Sequence, residues 1–126
     1  MSAFLRSIKD YLSLVKFSHT VFAMPFALIG FTIAVTQGNE EFSLRLLLLI
    51  ILCMIFARNA AMGFNRIADQ RFDTINPRTR NREIPSGKIS PASAIVFVII
   101  NSVSFILTSG FINSLTLMLA PVALAV

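Results

Sequence analysis

Charge is scarce in this sequence, and acidic charge is scarcest. Charged residues make up 13% of the chain, about half the share carried by an ordinary soluble domain. Only six are acidic, against eleven basic, for a net charge of +5. So little charge excludes a small soluble domain, although 126 residues would suit one. Disorder is excluded too, because that state needs low hydrophobicity, whereas 56% of these residues are hydrophobic and the mean hydropathy is +0.78. A single cysteine, Cys53, excludes an intrachain disulfide. Strand-like alternation is missing, as is any repeat of solenoid length. What remains is an all-α membrane chain.

The apolar runs divide it into spans. Residues 17–36, 44–64 and 92–111 are each about long enough to cross a hydrocarbon core as a helix. Residues 115–126 begin a fourth span that is too short to cross. Between the first two lies a polar turn, 37–43, with Glu40 and Glu41. Between the second and third lies a basic loop, 65–91, marked by Pro77, Pro85, Gly87 and Pro91. Ahead of the first span, Leu5, Ile8, Tyr11, Leu12 and Val15 recur at helical spacing among Arg6, Lys9 and Lys16. That pattern predicts an amphipathic helix lying in the membrane interface rather than a signal peptide.

The basic residues also set orientation. Arg6, Lys9 and Lys16 precede the first span, and Arg66, Arg71, Arg78, Arg80, Arg82 and Lys88 follow the second. By the positive-inside rule the N-terminus and the 65–91 loop are cytoplasmic, at the inner membrane. Topology thus accounts for most of the net charge, and no nucleic-acid partner is needed.

One stretch carries chemistry. Asn65, Asp69 and Asp73 are spaced four residues apart. If the second helix runs past its apolar part, they share one face, a turn apart. Arg58, seven residues before Asn65, shares that face deeper in the span. Like charges at this spacing repel by a few tenths of a kcal/mol, a cost that a bound cation removes. Two carboxylates and an amide oxygen are hard ligands suited to Mg²⁺ or Ca²⁺, not zinc. Mg²⁺ completes its shell with substrate phosphates. Arg78, Arg80 and Arg82 follow at alternate positions between Pro77 and Pro85, which predicts an extended loop of phosphate-matching forks. A solvated helix end with ordinary positive-inside arginines is the bland alternative. A wall of apolar helices behind such a site suits a lipid tail, which points to a polyprenyl diphosphate.

Asn65-x-x-x-Asp69-x-x-x-Asp73, followed by Arg78-Thr79-x-x-Arg82 and Ile84-Pro85-Ser86-Gly87, resembles the first signature of the UbiA superfamily of intramembrane aromatic prenyltransferases. The run Lys16-Phe17-Ser18-His19-Thr20-Val21-Phe22-Ala23-Met24-Pro25-Phe26-Ala27-Leu28 is similar to the first helix of bacterial 4-hydroxybenzoate polyprenyltransferases and their menaquinone-pathway relatives. The resemblance implies a Mg²⁺-dependent transfer of a polyprenyl group from its diphosphate to an aromatic acceptor of the hydroxybenzoate type, in ubiquinone or menaquinone biosynthesis. It implies metal-binding roles for Asn65, Asp69 and Asp73, with Asp69 and Asp73 catalytic. It places Arg58, Arg78, Arg82 and Lys16 on the diphosphate.

Glu83 departs from the family pattern, since many ubiquinone-pathway members have proline there, and this loosens the acceptor assignment. The second acidic motif of the family is absent, because no acidic residue follows Glu83. The chain therefore reads as the N-terminal portion, somewhat under half, of one transmembrane prenyltransferase domain, and as inactive alone. Phe22, Phe26 and Phe31 are candidates for the tail path, although aromatics on membrane helices more often pack or face lipid. His19 reads as interfacial and Cys53 as packing. The rival from another class is a non-enzymatic membrane protein, such as a cation-transport or scaffold subunit, which would place polar residues deep in several spans.

Overall fold

The computed structural model describes residues 2–38 and 43–125. Five helices follow in order: α1 (Ala3–Leu14), α2 (Phe17–Gln37), α3 (Leu44–Ile75), α4 (Pro91–Ile112) and α5 (Ser114–Ala125). There is no strand among the described residues. Residues 39–42 of the expected polar turn, Glu40 and Glu41 included, lie outside the described residues.

The helix starts follow local hydrogen bonding. The side chains of Ser2, Ser43 and Ser90 accept from the backbone N–H groups of Leu5, Leu46 and Ser93. Each thereby satisfies a donor that a helix start otherwise leaves bare. Pro91 stands at the first position of α4, where its missing N–H costs nothing. Asn113 divides α4 from α5, and its side-chain oxygen accepts from the Thr116 amide and hydroxyl, both at 2.8 Å.

α2, α3 and α4 are long and apolar enough to cross a membrane. α5 has 12 residues, roughly 18 Å at 1.5 Å per residue, which is short of a hydrocarbon core. α3 runs past the apolar span 44–64, and its 32 residues continue to Ile75. At about 48 Å it outreaches the roughly 30 Å of hydrocarbon. The extension is the polar stretch that carries Asn65, Asp69 and Asp73. Its polarity hides it from a search for apolar spans, but helix geometry does not need apolar residues.

The non-helical connection is therefore residues 76–90. It is a chain of tight turns rather than the extended loop that Pro77 and Pro85 suggested. Arg80 N–H donates to the Asn76 carbonyl, Arg82 N–H to Thr79, and Ser86 N–H to Arg82, at 2.9–3.0 Å. Gly87 takes the left-handed backbone that one of these turns requires, at φ 83°. Two apolar side chains draw the loop inward: Ile84 and Ile89 are buried with Leu14 and Ala94, and Tyr11, Ile67 and Phe97 pack around them. The Tyr11 and Phe97 rings stack at 4.8 Å between centroids.

The chain divides into two compact units. One comprises Met1–Phe17 and Arg58–Asn101, and the other Ser18–Ala57 and Ser102–Val126. The first contains the Leu14 cluster and the turn-rich loop. Within it Gly63 of α3 lies so close to α4 that an added Cβ would stand 2.8 Å from Val98 Cγ2. Asn59 donates to Asn101 across the same pair of helices at 3.2 Å, and Asn101 donates to the Phe97 carbonyl. In the second unit Phe31, Thr20, Thr108, Ser109 and Ala120 are buried, and Arg45 reaches the Phe111 carbonyl at 3.5 Å.

Candidate functional site

Every candidate metal or diphosphate residue named from the sequence falls in the first unit, whereas the tail-path candidates Phe22, Phe26 and Phe31 fall in the second. The end of α3 carries the acidic stripe. Asn65 and Asp69 are exposed, and Asp73 is buried. Because α3 is helical throughout, the three lie on one face, with neighbouring Cβ atoms about 5–6 Å apart.

Asp73 holds the most constrained carboxylate. Its Oδ1 accepts from Arg82 Nη1 at 2.9 Å, so the loop arginine folds back onto the helix that precedes it. Thr79 fastens the same corner by donating its hydroxyl to the Asp73 carbonyl at 3.1 Å. The other carboxylate oxygen, Oδ2, is buried without a hydrogen-bond partner. A buried charged acceptor left unpaired costs more than about 1–3 kcal/mol, so this oxygen calls for a cation. That is the observation by which the site fits a hard metal ion, with Asp69 and Asn65 offering exposed oxygens along the same face. Among the described residues no cluster of three His, Cys, Asp or Glu side chains could hold a metal. The ligand set at hand is two carboxylates and an amide, which leaves shell positions for water and phosphate.

The basic side of the site is spread over several elements. Arg82 is one-third exposed beside Asp73. Arg78 is exposed, and its backbone N–H is held by the Asn76 side chain at 2.9 Å. Arg58 is half-buried on α3. Lys16 is exposed in the turn between α1 and α2, with a left-handed backbone at φ 51°. Arg66, for which the sequence suggested only a topological role, is more central. It lies within electrostatic reach of Arg82, Asp73, Glu83 and Asp69, and its Nε reaches the Leu14 carbonyl at 3.5 Å. Asp69 and Asp73 lie on the same helix as Arg66, but Leu14, Arg82 and Glu83 are distant along the chain, and spacing does not reveal those.

Other sequence candidates sort by exposure. Phe22 and Phe26 are strongly exposed, as lipid-facing residues of a membrane helix would be, and Phe31 is buried. His19 is exposed and Cys53 half-buried. The Asn59–Asn101 pair is a further polar contact that the motifs do not point to. Its signal was available, since an amide inside an apolar span is costly unless partnered.

Comparison with known proteins agrees with the all-helical fold. Residues 23–126 match the UbiA prenyltransferase family. A protoheme IX farnesyltransferase of Gloeothece citriformis is 37% identical over 119 residues, covering 93% of this chain and 36% of the relative. One from Bdellovibrio bacteriovorus is 33% identical over 87 residues, covering 69% and 30%. The apo structure of a UbiA homologue from Aeropyrum pernix K1 superposes with a TM-score of 0.77 at 31% identity, covering 86% of this chain and 38% of that one. The chain spans about a third of the length of these curated relatives. With the all-helical fold, three membrane-length helices and the Asn65–Asp69–Asp73 face in place, the chain belongs to the UbiA prenyltransferase family.

Proposed function

We propose that the full-length protein transfers a prenyl group from a prenyl diphosphate to an aromatic acceptor at the membrane. The observation that carries this reading is the buried, unpartnered Oδ2 of Asp73 beside a paired arginine. It combines a carboxylate oxygen suited to a cation with an arginine fork suited to phosphate. Asn65, Asp69 and Asp73 would hold a divalent cation, with Mg²⁺ the one best matched to carboxylate, water and phosphate ligands. When bound, it would supply Lewis-acid neutralisation of the diphosphate.

The chain's own groups do the rest. Arg82 and Arg78 take diphosphate oxygens in bidentate fashion, and Arg58 and Lys16 add positive charge around them. In a site of low dielectric these cations favour the charge that builds on the leaving diphosphate. The bond from the allylic carbon to the diphosphate oxygen breaks, and its electron pair leaves with the diphosphate. A π pair of the electron-rich ring forms the new carbon–carbon bond, and the ring proton is lost to solvent. The basic N-terminal segment and the 76–90 loop lie on the cytoplasmic side of the inner membrane in this reading.

Two acceptors compete. The likeness of the run that begins at Lys16 to the first helix of 4-hydroxybenzoate polyprenyltransferases favours 4-hydroxybenzoate and a place in quinone biosynthesis, although Glu83 departs from that pattern. The relatives' name, protoheme IX farnesyltransferase, favours a haem acceptor and a farnesyl donor. Isothermal titration of the full-length protein with geranyl or farnesyl diphosphate, with and without Mg²⁺, tests the donor site. The expected result is Mg²⁺-dependent binding, and its absence would refute the reading. Turnover with 4-hydroxybenzoate or with protoheme IX then decides the acceptor.

A further inference from the structure

Arg82 sits on a loop without helix or strand, yet it is held at hydrogen-bond distance from Asp73. The residue after it explains how. Glu83 accepts a hydrogen bond from the Ser13 hydroxyl on the last turn of α1. The Glu83 carbonyl also accepts from the Ile89 N–H at 3.0 Å and from the Ser86 hydroxyl at 3.4 Å. Ile84 and Ile89 then bury against Leu14, whose carbonyl receives Arg66. The C-terminal turn of the amphipathic helix is thus fastened to the segment directly following Arg82.

We propose that Glu83 is a positioning residue for Arg82, clasped by Ser13, and that this clasp sets the affinity for the prenyl diphosphate. The inference rests on the donor-site reading above. A long side chain on a free loop loses backbone and rotamer freedom when it grips a ligand. Fixing Glu83 to α1 removes part of that loss beforehand, because the loop's course is set before the ligand arrives. Glu83 could otherwise act by charge alone on the nearby arginines, Arg66 included. The two roles separate in Glu83→Gln, whose amide oxygen accepts the Ser13 hydroxyl but carries no charge.

The test uses the full-length protein in lipid nanodiscs. Ser13→Ala and Glu83→Ala should each raise KM for geranyl diphosphate about fivefold, the size expected for one hydrogen bond, with kcat and the acceptor KM unchanged. The double variant should be no worse than either single one, and Glu83→Gln should behave as the parent. An unchanged KM in either alanine variant, additive losses, or a Glu83→Gln variant as weak as Glu83→Ala would overturn the proposal. Hydrogen exchange at the amides of Arg82, Ser86 and Ile89 adds a readout independent of turnover. It should quicken in both alanine variants and not in Glu83→Gln; unchanged exchange overturns the clasp. A parent protein that binds no prenyl diphosphate overturns the functional reading and the affinity role, while the exchange rates still decide whether the clasp exists.

Discussion

The two compact units differ in the balance of local and long-range bonds that their polar side chains make, and in the second unit only Arg45 to Phe111 is long-range among the bonds described. In the second unit, hydroxyls turn back on their own helix. Thr32 donates to Leu28, Thr36 to Thr32, Thr108 to Ser104 and Ser109 to Ile106, all backbone carbonyls within four residues. Such bonds satisfy a polar group inside an apolar span without tying one element to another. In the first unit, polar groups reach across the chain: Ser13 to Glu83, Asn59 to Asn101, Arg66 to Leu14 and Arg82 to Asp73. Long-range polar bonds hold a geometry, which chemistry requires, and local ones serve only solvation in lipid. The candidate metal and diphosphate residues all fall in the unit richer in long-range bonds.

The largest expected effect comes from removing the acidic stripe. Asp69→Ala and Asp73→Ala should each lower turnover of the full-length enzyme at least about 100-fold, on the scale of losing an electrostatic stabiliser of the leaving group. Size-exclusion profiles should stay those of a folded protein. Near-normal product formation by either variant would separate the stripe from function.

Next comes Gly63→Ala. The added methyl group meets Val98 at 2.8 Å and Phe97 at 3.4 Å, so overpacking should cost about 1–3 kcal/mol, measured by thermal unfolding in detergent. Arg82→Lys keeps the charge but loses the fork, and should raise KM for the prenyl diphosphate about tenfold. Gly30→Ala is the counterpart in the second unit. Nothing lies within 4 Å of its added methyl group, so a better helix former should gain about 0.4–1 kcal/mol. A Gly30→Ala loss as large as that of Gly63→Ala would erase the contrast between the units.

Much of this was legible in the sequence, and the exceptions share a cause. The expected spans 17–36 and 92–111 correspond to α2 and α4 within a residue at each end, because apolar length is a local signal. The amphipathic α1 was legible from helical spacing for the same reason. The far end of α3 was legible only conditionally, since Asn65, Asp69 and Asp73 show a helical face without showing that the helix continues. The course of residues 76–90 is not legible in this way. Prolines suggest extension, but burial of Ile84 and Ile89 against a residue some seventy positions earlier decides the outcome. Ser13, Glu83 and Arg66 gained their importance in the same way, from partners that spacing cannot show.

In the proposed function, Asp73 and its helical face hold a cation that receives a prenyl diphosphate. Mn²⁺ reports it directly, because its paramagnetic resonance signal changes on binding and it accepts the same oxygen ligands as Mg²⁺. Full-length protein should bind Mn²⁺ in the presence of geranyl diphosphate, and Asp73→Asn should weaken that binding at least about tenfold. Equal Mn²⁺ binding by the parent and by Asp73→Asn would contradict the account.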